Sequence, residues 1–234
     1  MIVSVPSLRS AMTLVATQTD EVTIRPDSDG WSIIAVSPDH VTLMKAMIPT
    51  EAFTDYEVWE TFAVKADDVL KSLPTSSDTV DIDISTGRLV MKADGYRYRK
   101  ALLSPEENVP RMPSLNVETE VVTSVDGLLR ITSQGDAKYG QVVLQVTDEA
   151  FIASVEDEQG LGASLEIPVK DCGLLVGNAR CLYPLSAWVP FLKALPKGAE
   201  LDIQFDSDYP LTASYTSPML TFTWMVAPHI VQED

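Results

Sequence analysis

Few side chains in this sequence are of a type and spacing that could do chemistry. There are two histidines, His40 and His229. Neither has a sequence partner that would make a metal site or a nucleophile–base pair, so a satisfied or exposed imidazole is the better reading. Cys172 and Cys181 are the two cysteines and form no Cys-x-x-Cys pair. They are expected as reduced thiols in strand or loop positions. Asp81 and Asp83 alternate along one segment and would share a strand face. Paired carboxylates can do acid–base work, but a solvated strand face accounts for them. A Gly-rich phosphate loop, a Gly-x-Ser-x-Gly elbow and a His-Glu-x-x-His helix are all missing. The expectation is a protein that is not an enzyme, with no catalytic residue, no metal and no cofactor.

Charge and hydropathy narrow the class further. Seventeen Lys and Arg stand against 34 Asp and Glu, a formal charge of −17, with 45% hydrophobic residues. That apolar content supplies real cores. The charge opposes phosphate contact unless the cations are gathered on one face. No apolar run approaches the ~20 residues that span a bilayer, and Met1-Ile2-Val3-Ser4-Val5-Pro6 lacks the basic start and apolar core of a signal peptide. A soluble, intracellular protein without a membrane partner is expected.

The elements that would position any site come twice. Leu70-Lys71-Ser72-Leu73-Pro74 matches Leu192-Lys193-Ala194-Leu195-Pro196 at an offset of 122. Each precedes an alternating strand, Val80 to Ile84 and Leu201 to Phe205, at an offset of 121. Leu8-Arg9 matches Leu129-Arg130, again 121 residues on. Recurrence at nearly one offset predicts two copies of an α+β half-unit.

Within each copy the order reads helix, strands, helix, strands. Leu8, Ala11, Met12 and Val15 fall on one helical face. Ala66, Leu70 and Leu73 do so in a second helix, and Trp188, Leu192 and Leu195 in a last one that contains Pro190. Ser37-Pro38-Asp39 and Asp94-Gly95 predict hairpin turns. Between the copies lies a Pro-rich connector, Ser104 to Leu115. Its apolar Val109, Met112 and Leu115 suggest a partner or a groove.

The duplication also pairs cations. Arg9 and Arg130 are expected at matched places in the first helix of each copy, and Lys71 and Lys193 in the second. Each flanks the apolar stripe. If the helices pack on one face of the sheets, the four cations line a common surface.

Nearly the whole chain resembles the sliding clamps of the PCNA type, archaeal members in particular. The resemblance rests on Ser37-Pro38-Asp39-His40-Val41-Thr42-Leu43, on Ile48-Pro49-Thr50-Glu51-Ala52-Phe53, and on Val109-Pro110-Arg111-Met112-Pro113-Ser114-Leu115. Tyr209-Pro210-Leu211 and the ending Met225-Val226-Ala227-Pro228-His229-Ile230 complete it. It implies two similar domains of antiparallel sheets, residues 1–104 and 118–234, with two inner helices each and residues 105–117 as connecting loop. It implies a head-to-tail ring, a homotrimer, encircling duplex DNA without reading sequence, with Arg9, Lys71, Arg130 and Lys193 facing the DNA. Ring closure would use edge strands near 95–103 and 172–178, carrying Tyr96, Tyr98, Arg99, Cys172, Leu174 and Val176. A clamp loader, DNA polymerase, flap endonuclease and ligase are the implied partners. Their short peptides would enter a pocket of Val36, His40, Val41, Leu43, Val109, Met112, Leu115, Pro210, Met225, Ala227 and Pro228. The implied location is the cytoplasm of an archaeal-type cell, at the nucleoid. The sequence departs from the pattern at Leu14, where a cation is common, at Asp67 and Asp68 beside Lys71, and at Met225, where an aromatic is common. Two other readings remain open: a clamp-like subunit of a hetero-oligomeric ring, and an unrelated duplicated β-rich binding or enzymatic domain.

Overall fold

The computed structural model describes residues 1–108, 110–135, 140–156 and 162–229. The chain forms two compact units, residues 1–112 with 216–222, and residues 113–215 with 223–234. The architecture is mixed α+β, with antiparallel sheets and four helices among the described residues.

In the first unit, strand β1 (Ile2–Ser4) leads into helix α1 (Val5–Ala16). Ser4 caps the helix, its hydroxyl accepting from Ser7 N, so an otherwise unpaired first-turn N–H is satisfied. The predicted apolar stripe is correct: Leu8, Ala11, Met12 and Val15 are all buried. Leu14 is fully buried as well. A cation there would be forced out of water, which explains this departure from the clamp pattern.

Strands β2 (Glu21–Asp27), β3 (Gly30–Val36) and β4 (Thr42–Pro49) form a meander, followed by short β5 (Phe53–Thr54) and β6 (Phe62–Lys65). Gly30 opens β3 at φ +136°, and a Cβ there would lie 2.1 Å from the Ile48 carbonyl oxygen. Only glycine lets the two backbones approach so closely.

Helix α2 (Ala66–Ser72) carries Asp67 and Asp68 in its first turn and Lys71 in its last, complementing the helix dipole. Its core contacts differ from expectation. Val69 is buried and Leu70 only half-buried, with Leu73 buried just past the helix end. The helix is short, so its C-terminal residues turn away from a continuous i, i+4 stripe.

Strands β7 (Thr79–Ser85), β8 (Arg88–Ala93) and β9 (Tyr96–Ala101) complete a sheet in the order β5-β1-β7-β8-β9. The predicted turn between β8 and β9 holds Asp94 and Gly95 at φ 54° and 79°, the left-handed pair that matches the twist of a tight hairpin.

The second unit repeats this plan. Strand β10 (Thr119–Ser124) leads into α3 (Val125–Thr132), which Ser124 caps by accepting from Asp126 N at 3.2 Å. Strands β11 (Gln141–Val146), β12 (Ala150–Glu156), β13 (Gly162–Pro168), β14 (Leu174–Val176) and β15 (Ala179–Pro184) follow. Then come α4 (Leu185–Ala194), β16 (Glu200–Phe205), β17 (Leu211–Ser217) and β18 (Leu220–Val226). One sheet runs β13-β12-β11-β15, and β14-β10-β16-β17 neighbour one another in a second. Pro190 lies inside α4 and is exposed, where its ring faces solvent and the lost N–H bond falls on the solvated side. Trp188, Leu192 and Leu195 are buried as the sequence predicts.

The duplication is visible in the backbone, in a slightly different register. Val5 N donates to Asp78 O, and Val125 N donates to Ala199 O. Capped Ser4 thus matches Ser124, and buried Leu8 matches Leu128, not Leu129. Arg9 therefore matches Leu129, and Arg130 matches Ser10, one position (~100° of helix) apart. Lys71 and Lys193 do match, since Leu73 and Leu195 cap the C-terminal ends of α2 and α4.

Candidate functional site

The β3–β4 turn is built by Asp39. Its Oδ1 accepts from the Ser37 hydroxyl and from Val41 N, while His40 N donates to Ser37 O. His40 takes φ 58°, a left-handed conformation in which histidine is enriched among non-glycine residues. Donation from Ser37, then from Val41 N, holds the Asp39 carboxyl below its ordinary pKa. Folding lowers this pKa, so the stabilising charge is present above the ordinary value of 3.8 and is lost as pH falls through the depressed folded value. In an NMR titration the Val41 amide should shift with a midpoint below 3.8, and Asp39→Asn should remove the transition. A midpoint at or above the ordinary value would show that Ser37 does not favour the charged form.

The hairpin is tied to α1 by a buried contact in which Thr42 Oγ1 donates to Gln18 Oε1. Gln18 Nε2 donates in turn to Thr17 Oγ1 at 2.9 Å. Nothing in the sequence marked Gln18. The connector begins equally well anchored: Leu103 N donates to Ala63 O, Glu106 N to Thr23 Oγ1, and Arg25 to Glu106 O. Between these anchors, the end of α1 and strands β2, β3 and β6 lies a cavity of about 930 Å³. Val36 and His40 line it, as do Ser104, Glu106, Asn108 and Pro110 of the connector.

Of the remaining pocket candidates in the first unit, Leu43 pairs with Val36 across the hairpin. Val41, Leu43 and Met112 are half-buried. Val109 lies outside the described residues. In the second unit, Leu115, Pro210, Ala227 and Pro228 are half-buried, whereas Met225 is buried with 7% exposed. Pro210 is positioned by its neighbour, for Tyr209 O accepts from the buried Tyr183 hydroxyl at 3.0 Å. Burial pushes that hydroxyl's pKa up, so it stays a donor. His229 N donates to Leu182 O at 2.7 Å, fixing the segment after β18.

The four helix cations are not alike. Arg9 is half-buried and donates to the Pro74 carbonyl at 2.8 Å. Lys71 is paired with Asp67 at 2.9 Å, an i, i+4 contact that raises its pKa. Arg130 and Lys193 sit exposed in the last turns of α3 and α4, and among the described residues neither is in an ion pair.

The two strands expected to close a ring each end a sheet. Among the described residues β9 pairs with β8 on one side only, and β14 with β10 on one side only. Tyr96 and Tyr98 stack with ring centroids 6.2 Å apart and are exposed, as are Arg99, Leu174 and Val176. Cys172 is a half-buried free thiol whose pKa is raised, first by burial. Asp81 is paired with Lys92, and Asp83 is exposed, as a strand face would have them. Among the described residues no group of three His, Cys, Asp or Glu could hold a metal ion.

No family model matches the chain. The DNA polymerase sliding clamp of Haloarcula marismortui is 27% identical to it, covering 99% of this chain and 98% of the relative. That of Thermoplasma acidophilum is also 27% identical, covering 91% and 89%. The PCNA of A. fulgidus, solved with the C-terminal region of FEN-1 bound, superposes with a TM-score of 0.88 at 21% identity over 99% of this chain and 98% of that one. The PCNA of Thermococcus kodakaraensis gives 0.85 at 20% identity over 97% and 99%. Fold and sequence agree: the chain has the fold of PCNA and is similar in sequence to archaeal DNA polymerase sliding clamps.

Proposed function

We propose that this chain is a DNA sliding clamp, a ring that encircles duplex DNA and tethers polymerase and other replication and repair enzymes as a processivity factor. The observation that carries the reading is agreement over essentially the full length, in fold with PCNA and in sequence with DNA polymerase sliding clamps. Residues 1–104 and 118–234 act as the two clamp domains and 105–117 as their connecting loop. The chain works by tethering and supplies no catalytic group. A clamp loader opens the ring, and the ring acts at the nucleoid. No described helix is long and apolar enough to cross a membrane.

Partner peptides bind at the half-buried apolar residues of the β3–β4 hairpin, Val41 and Leu43. The binding mode is an apolar anchor in a groove with backbone pairing beside it. A partner supports this in one neighbour, since the A. fulgidus PCNA holds the C-terminal region of FEN-1. The hydroxyl-rich turn fixes the frame, and Leu43 supplies apolar area. Leu43→Ala should weaken binding of a polymerase or flap-endonuclease tail peptide about tenfold by calorimetry. It should leave the assembly unchanged, at three times the 25.6 kDa chain mass. A chain that stays monomeric at every concentration, or that fails to raise polymerase processivity, would sink the reading. The hetero-oligomeric alternative has one neighbour in its favour, a PCNA2–PCNA3 complex of Sulfolobus tokodaii with a TM-score of 0.81. It predicts that rings form only on mixing with sister subunits.

A further inference from the structure

Residues 46–64 contain no Lys or Arg but carry Glu51, Asp55, Glu57 and Glu60, all of them exposed. The strap that joins β5 to β6 runs through this stretch. It presents Val58, which is 60% exposed, and Trp59, which is half-buried. Acids beside an uncovered valine and a partly open indole make a poor surface for phosphate. They make a good one for a cation with an apolar stem.

The strap is held by its rings. Trp59 meets Trp31 at 6.0 Å and Phe62 at 6.2 Å between centroids, and both of those rings are buried. Phe53 continues the cluster, 5.0 Å from Trp31 and 5.0 Å from Tyr56. The Tyr56 hydroxyl lies 2.7 Å from the carbonyl oxygens of Asp27 and Gly30, which ties the strap to the β2–β3 turn. Trp59 is thereby fixed before a ligand arrives, so binding there orders little. Trp31, Trp188 and Trp224 are fully buried, which leaves Trp59 as the indole that offers a ring face to solvent.

Beside Trp59 opens a cleft of about 280 Å³. Phe62, Ile84 and Leu102 supply its apolar lining, and Glu60 and Asp83 its charged lining. The volume falls just below the ~300–1,000 Å³ of small-molecule pockets, so it suits one side chain rather than a cofactor. Glu60 and Asp83 are exposed, and among the described residues neither is in an ion pair. Arg88 stands diagonally across the β7–β8 ladder from Asp83. It neither lines the cleft nor forms an ion pair among the described residues. The cleft thus combines an aromatic face with two carboxylates that no described cation of this chain neutralises.

We infer that the cleft beside Trp59 is a docking subsite for one arginine side chain, carried on a basic segment of a partner protein. The guanidinium plane stacks on the Trp59 indole, and its N–H groups donate to the Glu60 and Asp83 carboxylates. Its methylene stem lies on Ile84 and Leu102, while Val58 takes an apolar neighbour of the arginine. Lysine suits the site less well, because an ammonium is more strongly hydrated and has no plane to stack. The acids of the strap oppose a nucleic acid. The subsite shares no residue with the β3–β4 hairpin and does not depend on the ring.

The test follows the indole N–H signals of the four tryptophans in the full-length chain by NMR. Acetyl-Gly-Arg-Gly-amide is added at about 0.05 M NaCl, where exposed charges are weakly screened. Trp59→Leu deletes one signal and so assigns it. That signal should move saturably, with a dissociation constant of about 1 mM, while the three buried indoles stay still. Citrulline in place of arginine keeps the shape without the charge and should weaken binding about tenfold. Lysine should weaken it about threefold. E60Q/D83N should weaken it about tenfold. E149Q/E200Q, which removes two exposed acids elsewhere, should change it less than about twofold. Trp59→Leu, followed at the Leu102 amide, should lose about tenfold. Thermal unfolding checks each variant, and Trp59→Met replaces Trp59→Leu if that chain is not folded. A Trp59 signal that never moves, a citrulline peptide that binds equally, or equal losses in the two neutralised pairs would overturn the subsite and leave the clamp reading intact. A lysine peptide bound as tightly would overturn the assignment to arginine.

Discussion

Replacing Trp224 with alanine is expected to lower the stability of the chain by about 3–5 kcal/mol. Trp224 is fully buried in β18. Its indole stacks on Phe191 of α4 with centroids 4.3 Å apart and planes at 17°, and meets Trp188 edge-on at 5.2 Å. Alanine removes a ring partner of both and leaves a cavity that the rigid strand cannot close. A loss of that size is a large share of the ~5–15 kcal/mol that holds a domain folded. Among the described residues Trp224 Nε1 has no hydrogen-bond partner, so Trp224→Phe keeps the stacking, deletes an unsatisfied donor and should cost far less. Urea unfolding of the two variants reads the difference. Equal losses would mean that the stacked cluster is not what holds α4.

Reversing Arg130 and Lys193 to glutamate should depress clamp-dependent DNA synthesis on a long template about tenfold at moderate salt. These cations are exposed and unpaired among the described residues. They also stand in last turns, where the helix dipole favours positive charge. Arg9→Glu with Lys71→Glu should have a smaller effect on synthesis. Lys71 is already neutralised by Asp67, and Arg9 is committed to the Pro74 carbonyl. Arg9→Glu should instead lower protomer stability, because it abandons that carbonyl and places a carboxylate beside it. Primer extension across a salt series, paired with thermal unfolding, separates the two effects. Equal loss of synthesis from both pairs, with unchanged stability, would show that the two units contact DNA alike.

The elements were legible because their signals are local. The buried stripe of α1, the Ser37-Pro38-Asp39 and Asp94-Gly95 turns, and the alternating strands β7 and β16 depend on side chains a few residues apart. The matched Lys71 and Lys193 were legible too, since both precede a Leu that caps a helix. The Arg9 and Arg130 match was not. It assumed one offset throughout, whereas the caps at Ser4 and Ser124 place the first helices one residue closer than that. In α2, the i, i+4 stripe pointed to Leu70 where Val69 is buried, because seven residues make too short a helix for periodicity to decide its rotation.

The sequence by itself determined the duplication, the α+β class and the resemblance to PCNA-type clamps. Those rest on order and spacing, which the chain carries without folding. Only the tertiary structure decided which polar groups are spent and which remain. Arg9 is bound to a carbonyl 65 residues away, Gln18 holds Thr42, and the connector is pinned by Thr23 and Arg25. Among the described residues, Arg130 and Lys193 remain outside any ion pair. A charge is available to DNA or to a second copy only when no group from a distant part of the chain has already claimed it. That is set by packing between segments far apart in sequence, where no local pattern reaches.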